Sequence, residues 1–137
     1  MRECVSTLRV RYVETDQMGV VHHSAYLAWM EVARTEYLRA RGVPYRLLEE
    51  KGIRMPLLSV RAEYRVPARY DDEVELVARL AHANSVRFTF EYEMRRLADG
   101  VLFCTGRTEH AATDASGKPR RIPRDLLDLI GGDRENV

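Results

Sequence analysis

Lysine is almost absent from this chain of 137 residues: twenty of its 22 basic residues are arginine, and only Lys51 and Lys118 are not. Guanidinium is the better fork for phosphate and carboxylate, but a coding bias towards arginine leaves the same count, so the imbalance alone assigns no ligand. Net charge is missing too. The 22 basic residues face 21 acidic ones, a formal charge of +1, which argues against a dedicated nucleic-acid-binding domain with its large cationic excess. Of cysteines there are two, Cys4 and Cys104. They form neither a CxxC pair nor a disulfide framework and read as small buried apolar residues. The longest uncharged run, Gln17 to Met30, has 14 residues and contains two histidines; a membrane span needs about 20 apolar residues. The N-terminal MRECVSTLRV lacks the apolar stretch of a secretory signal, so the expectation is a cytoplasmic protein with no membrane span.

Several familiar chemistries are absent as well. There is no GxSxG nucleophile elbow, no Gly-rich phosphate loop ending in Lys-Ser/Thr and no dinucleotide fingerprint. The histidines are His22, His23, His82 and His110, with neither HxxxH nor HExxH spacing. Adjacent His22 and His23 are expected to point in different directions, a poor chelating pair. Neither a metal nor a cofactor is expected.

What is present describes a folded protein: 45% hydrophobic and 31% charged residues, with no repeat, low-complexity tract or linker, so that residues 1–137 read as one domain. Leu8, Val10 and Tyr12 alternate with Arg9 and Arg11, which predicts a strand over Cys4 to Val13. Ser24 to Arg41 reads as one helix, capped by Ser24 and stopped by Gly42; Pro44 and Gly52 bracket a short helical piece at 45–51. The first half of the long helix, Ala25 to Met30, is apolar all round, and a helix apolar on every side is expected to be buried on every side.

Four further strands follow. Leu58, Val60, Ala62, Tyr64 and Val66 alternate with polar residues, as do Val74, Leu76, Ala78 and Leu80, and then Val86, Phe88, Phe90, Tyr92 and Met94. Asp99-Gly100 signals a hairpin into a strand at 101–113, and Pro123 opens a last short helix at 124–130. The fold class is therefore α+β: long antiparallel strands curl, and a curled antiparallel sheet can wrap one long central helix. Such a sheet leaves its outer face and edges bare, so a dimer or larger assembly with strand edges paired between subunits is expected.

The dense stretch is Tyr12 to Tyr26. A carboxylate, Asp16, lies between a strand end and the N-terminus of the apolar helix, and Gly19 lets the backbone turn sharply beside it. Helix N-termini present free amides and a positive dipole end, suited to a developing oxyanion. A carboxylate beside such donors is the minimum kit for hydrolysing an activated acyl group. A plainer reading stands next to it: Asp16 as a turn cap, His23 as an ordinary helix residue, Glu31 and Arg34 as an i,i+3 ion pair. The residues alone leave both open.

Arg11-Tyr12-Val13-Glu14-Thr15-Asp16-Gln17-Met18-Gly19-Val20-Val21-His22-His23-Ser24-Ala25-Tyr26 resembles the signature of the 4-hydroxybenzoyl-CoA thioesterase family, and within it the bacterial acyl-CoA thioesterases associated with the Tol–Pal system; Glu31-Val32-Ala33-Arg34-Thr35-Glu36 continues the likeness. The resemblance implies the hotdog fold, a homo-oligomer (dimer or homotetramer) and hydrolysis of an acyl-CoA thioester to a carboxylic acid and free CoA. By the same resemblance Asp16 is the catalytic carboxylate, as nucleophile or general base. His23 marks the helix entrance where a backbone amide polarises the carbonyl, and Tyr26 matches the aromatic position that follows; Gly19 and Tyr26 are the substrate-binding candidates, with core filling the plainer reading of Tyr26. His22 stands where Tyr or Phe is more usual. Two other functions are weighed: a catalytically weak acyl-CoA binding or sensing module, and an acyl-thioester hydratase or dehydratase, whose HxxxPGxP motif is absent here.

Overall fold

The computed structural model describes residues 2–131. Its elements, in chain order, are β1 (Glu3–Arg9), a 3-10 turn (Tyr12–Glu14), α1 (His23–Ala40), α2 (Tyr45–Glu50), β2 (Leu57–Tyr64), β3 (Glu73–Ala83), β4 (Arg87–Arg96), β5 (Leu102–Ala111) and α3 (Arg124–Ile130). The strands form one antiparallel sheet in the order β1-β3-β4-β5-β2. β1 and β2, neighbours in sequence, are thus opposite edges, and α1 with α2 carries the chain from one edge to the other.

Alternation decides what faces the helix. Val74, Leu76, Ala78 and Leu80 of β3 and Phe88, Phe90, Tyr92 and Met94 of β4 are all buried. Pairing sets Phe90 opposite Thr108, Tyr92 opposite Gly106 and Met94 opposite Cys104 on β5, so these residues share the inner face. Against it α1 lays Tyr26, Trp29, Met30, Ala33, Tyr37 and Leu38, spaced three and four apart. Gly106 makes room for this packing: a Cβ there would meet the end of the Met30 side chain, which would have to shift. α3 closes one end of the core with Leu126, Leu127 and Ile130, and the buried Tyr37 hydroxyl donates to the Ile130 carbonyl at 2.7 Å.

The outer face is charged. Arg79 meets Glu3 and Glu93, Glu93 meets Arg95, Arg107 meets Glu91 and Glu109, and Glu63 bridges Arg61 and Arg65. Such exposed pairs are worth little singly, but they give that face no reason to be covered. The uncovered apolar surface lies elsewhere. By register Val60, Ala62 and Tyr64 point to the helix side of edge strand β2, yet Val60 is 42% and Tyr64 48% exposed.

Three local expectations are corrected. The first strand stops at Arg9, because the Val10 amide turns to the Asp72 carbonyl and residues 12–14 form the 3-10 turn. The α1 N-cap is His22 and not Ser24: the Ser24 amide donates to His22 Nδ1. The apolar half of α1 is buried on one side only, since Leu27 and Ala28 are exposed. Among the described residues no helix is long and apolar enough to cross a membrane.

Candidate active site

The segment between the 3-10 turn and α1 folds as a small closed ladder. The His22 amide donates to the Glu14 carbonyl at 2.8 Å, Thr15 pairs with Val21, and the Asp16 amide donates to the Val20 carbonyl at 2.8 Å. Gly19 stands at the tip with φ +79°, a left-handed conformation that side chains resist, and nothing lies within 4 Å of where its Cβ would sit. The far side is anchored by the Val21 amide on the carbonyl of buried Ala68.

Asp16 caps the turn, as the plainer of the two readings expects. Its Oδ1 accepts from the amides of Met18 (2.8 Å) and Val20 (3.4 Å), an Asx turn that fixes the carboxylate plane. Its Oδ2 has no hydrogen bond among the described residues. The carboxylate is half-buried and lines a depression with Tyr12, Val13 and Thr15. A second depression, at the start of α1, shares Val13 and Thr15 with it and includes His22, Ser24 and Ala25. One carboxylate oxygen is therefore free at a site continuous with a helix N-terminus.

At that N-terminus the Ser24 amide goes to His22 Nδ1 and the Ala25 amide to the His22 carbonyl. The His23 amide has no acceptor among the described residues. An unpaired amide at the positive end of a long helix is a donor placed for developing negative charge. The two imidazoles do not diverge as expected. They stack, with centroids 4.2 Å apart and planes at 31°, because His22 caps from outside the helix. No cluster of three metal-ligating side chains occurs among the described residues.

The structure thus joins Gly19 to Asp16, the Gly19 amide donating to the Asp16 carbonyl at 3.0 Å, in the loop that leads into α1 at His23, and places Tyr26 in the first turn of α1. Tyr26 is buried, its ring 4.8 Å from Trp29 and 5.3 Å from Tyr64, and its hydroxyl accepts from the Ala68 amide at 3.1 Å. Burial raises the Tyr26 hydroxyl above the usual phenol range, so it stays protonated. Glu31 and Arg34 form no ion pair among the described residues; Arg34 Nη1 reaches the Tyr92 hydroxyl at 3.3 Å. Sequence reasoning passed over Glu14, whose carboxylate accepts from the Trp29 indole at 2.9 Å. The only signal for it was an acidic residue two positions before Asp16.

A curled five-stranded antiparallel sheet on one long helix defines an α+β hotdog protein. The chain belongs to the thioesterase-like superfamily, which it matches over residues 10–130. It is 34% identical over 122 residues to the acyl-CoA thioesterase YbgC of Haemophilus influenzae, covering 87% of this chain and 88% of that one. Among solved structures it is similar to protein TT1821 of Thermus thermophilus (TM-score 0.87, 39% identity, 94% of this chain and 95% of that one). It is also similar to the DHNA-CoA thioesterase of Staphylococcus aureus (TM-score 0.89, 30% identity, 96% and 90%).

Proposed function

We propose that this chain hydrolyses an acyl-CoA thioester to a carboxylic acid and free CoA. The observation that carries the reading is Asp16: one oxygen held by two loop amides, the other without a hydrogen bond among the described residues, in a depression that shares Val13 and Thr15 with the one at the start of α1. Membership of a thioesterase family and likeness to proteins named acyl-CoA and DHNA-CoA thioesterases support the substrate class.

The His23 amide at the start of α1 polarises the thioester carbonyl, and Asp16 attacks its carbon as nucleophile or activates water as general base. As general base, Asp16 Oδ2 takes a proton from water as the water oxygen bonds to the carbonyl carbon. The tetrahedral oxyanion then collapses, the C–S bond breaks and the proton passes to the CoA thiolate. A thioester, with little resonance stabilisation and a good leaving group, needs no fuller triad. Gly19 holds the turn that aims the carboxylate. Tyr26 backs the pocket in which the acyl group sits. The active form is a homo-oligomer, a reading supported by the uncovered apolar row of edge strand β2 and the outward Leu27 and Val32 of α1.

The test is free-thiol release from short, long and aromatic acyl-CoAs by the wild type and Asp16→Asn. Asn keeps an acceptor for the Met18 amide, so the loop stays folded while turnover falls by about 10²–10⁴-fold. Full turnover in the variant overturns the role of Asp16. A folded wild type that binds acyl-CoA without turnover would make the chain a binding module.

A further inference from the structure

The carboxylate of Glu14 takes no part in the reaction above, yet it accepts more hydrogen bonds than Asp16 does. Oε1 accepts from the Arg11 amide at 2.8 Å; Oε2 accepts from Trp29 Nε1 at 2.9 Å and lies 3.5 Å from the Arg11 guanidinium. The side chain is 9% exposed. Burial pushes the carboxyl up, but the Arg11 and Trp29 donors outweigh it and hold Glu14 below the usual carboxylate range.

Arg11 belongs to the same turn as Glu14; Trp29 does not. It sits in the body of α1, 15 residues away, and is 1% exposed. An indole N–H is a donor only, and leaving it buried without an acceptor costs about 1–3 kcal/mol. An ionised acceptor makes the bond stronger than a neutral one would. The Glu14–Trp29 bond is therefore a bolt between the loop and the helix it leads into.

What the bolt fixes follows from the ladder. Residues 14 to 22 are closed on themselves by the His22–Glu14, Thr15–Val21 and Asp16–Val20 pairings and form one hydrogen-bonded unit. Asp16 is two residues past the bolt, and His22 caps α1 at the other leg. A ladder held at its cap and at Ala68 can still rock against the helix. The bond from Glu14 to a side chain inside the helix removes that freedom. We propose that Glu14 is a positioning residue, whose bond to Trp29 sets the Asp16 loop against the start of α1. The proposal rests on the reading of Asp16 as the working carboxylate.

The test is steady-state thiol release from an acyl-CoA that the wild type hydrolyses, using Trp29→Phe, Glu14→Gln and the two combined, each also built on Asp16→Asn. Trp29→Phe keeps an aromatic ring and removes the N–H. Glu14→Gln keeps the shape and turns an amide nitrogen towards one of two donors. Displacing a reacting group by about 1 Å can cost 10²-fold, so each substitution lowers kcat about tenfold or more while KM stays within about threefold. The combined variant loses no more than the worse single one, because both break the same bond. On Asp16→Asn the substitutions leave the residual rate unchanged, there being no carboxylate left to place.

Unchanged kcat in the folded Glu14 and Trp29 variants, with turnover abolished by Asp16→Asn, overturns the proposal and leaves the reading of Asp16 standing. So does an equal loss on the wild-type and Asp16→Asn backgrounds, which would mark a merely structural role. Full turnover of Asp16→Asn overturns both. If Trp29→Phe fails to fold by circular dichroism, Glu14→Gln, on the loop, carries the same comparisons.

Discussion

The hydroxyl of Tyr64 donates to the carbonyl oxygen of His23 at 3.2 Å, tying the outermost strand of the sheet to the first residue of α1. The same ring stands edge-on to Tyr26, whose own hydroxyl takes the Ala68 amide. Two tyrosines thus join β2, the start of α1 and the segment before β3, the three pieces around the Asp16 loop. Tyr64→Phe keeps the ring contact and removes one bond at a half-exposed site. It should cost about 0.5–1.5 kcal/mol, seen as a fall of a few degrees in Tm by differential scanning calorimetry.

Gly19 separates backbone need from packing need. Its φ of +79° excludes most side chains, but open space surrounds the missing Cβ. Gly19→Ala should therefore cost about 1 kcal/mol through the backbone alone. It should also lower kcat, because the Met18 and Val20 amides that hold Asp16 Oδ1 flank this residue. Asn tolerates the left-handed region better than Ala, so Gly19→Asn should recover part of both losses. Equal damage from Ala and Asn, measured as Tm and thiol release, would mean the conformation is not what the position requires.

The strands and the long helix were legible in the sequence because burial on a sheet has period two and burial on a helix a period near 3.6. The alternation is plain over residues 86–94, whereas the all-apolar stretch Ala25 to Met30 hid which side of α1 faces the sheet. The loop around Asp16 was legible because a glycine, a carboxylate and a helix start fall within ten residues. What escaped depends on partners distant in sequence. Trp29 is the acceptor-seeking end of a bond whose other end lies 15 residues away on a loop. Arg34 passes over Glu31 for a tyrosine 58 residues on. His22, outside the usual capping set of Ser, Thr, Asp and Asn, caps α1 because its neighbours fold the chain back at Val21.

His110 makes the core acid-sensitive. Its Nδ1 lies 3.3 Å from the Met55 carbonyl, which only accepts, so Nδ1 carries the proton and Nε2 takes the Thr108 hydroxyl at 2.9 Å. Thr108 in turn meets the Tyr92 hydroxyl at 2.6 Å. Burial, then the nearby Arg34 charge, pushes the imidazole down from 6.5 to about 4. Between those values the unfolded chain holds a proton that the folded chain does not, so stability rises with pH across this window. It is fully present above about pH 6.5 and is lost progressively as pH falls towards 4. His110→Gln, with no titrating ring, should flatten the fall of Tm between pH 7 and pH 4.5, whatever it does to Tm at pH 7.

Val60 tests what covers the β2 edge. It points to the helix side of the sheet by its pairing with Thr108, lies on the outermost strand and is 42% exposed, with Leu27 and Val32 of α1 about 40% exposed. A sheet edge with an apolar inner row is a template for another strand unless something blunts it. β2's charges, Arg61 and Glu63, sit on the other face and pair with each other. A second copy of this chain laid along β2 would bury the row and continue the sheet. Val60→Lys puts an inward charge where that contact forms, while leaving the fully buried rows of β3 and β4 untouched. Sedimentation equilibrium should give an assembly for the wild type and a single chain for the variant, with the far-ultraviolet spectrum unchanged. A wild type that sediments as one chain at micromolar concentration would show that β2 stays open in solution.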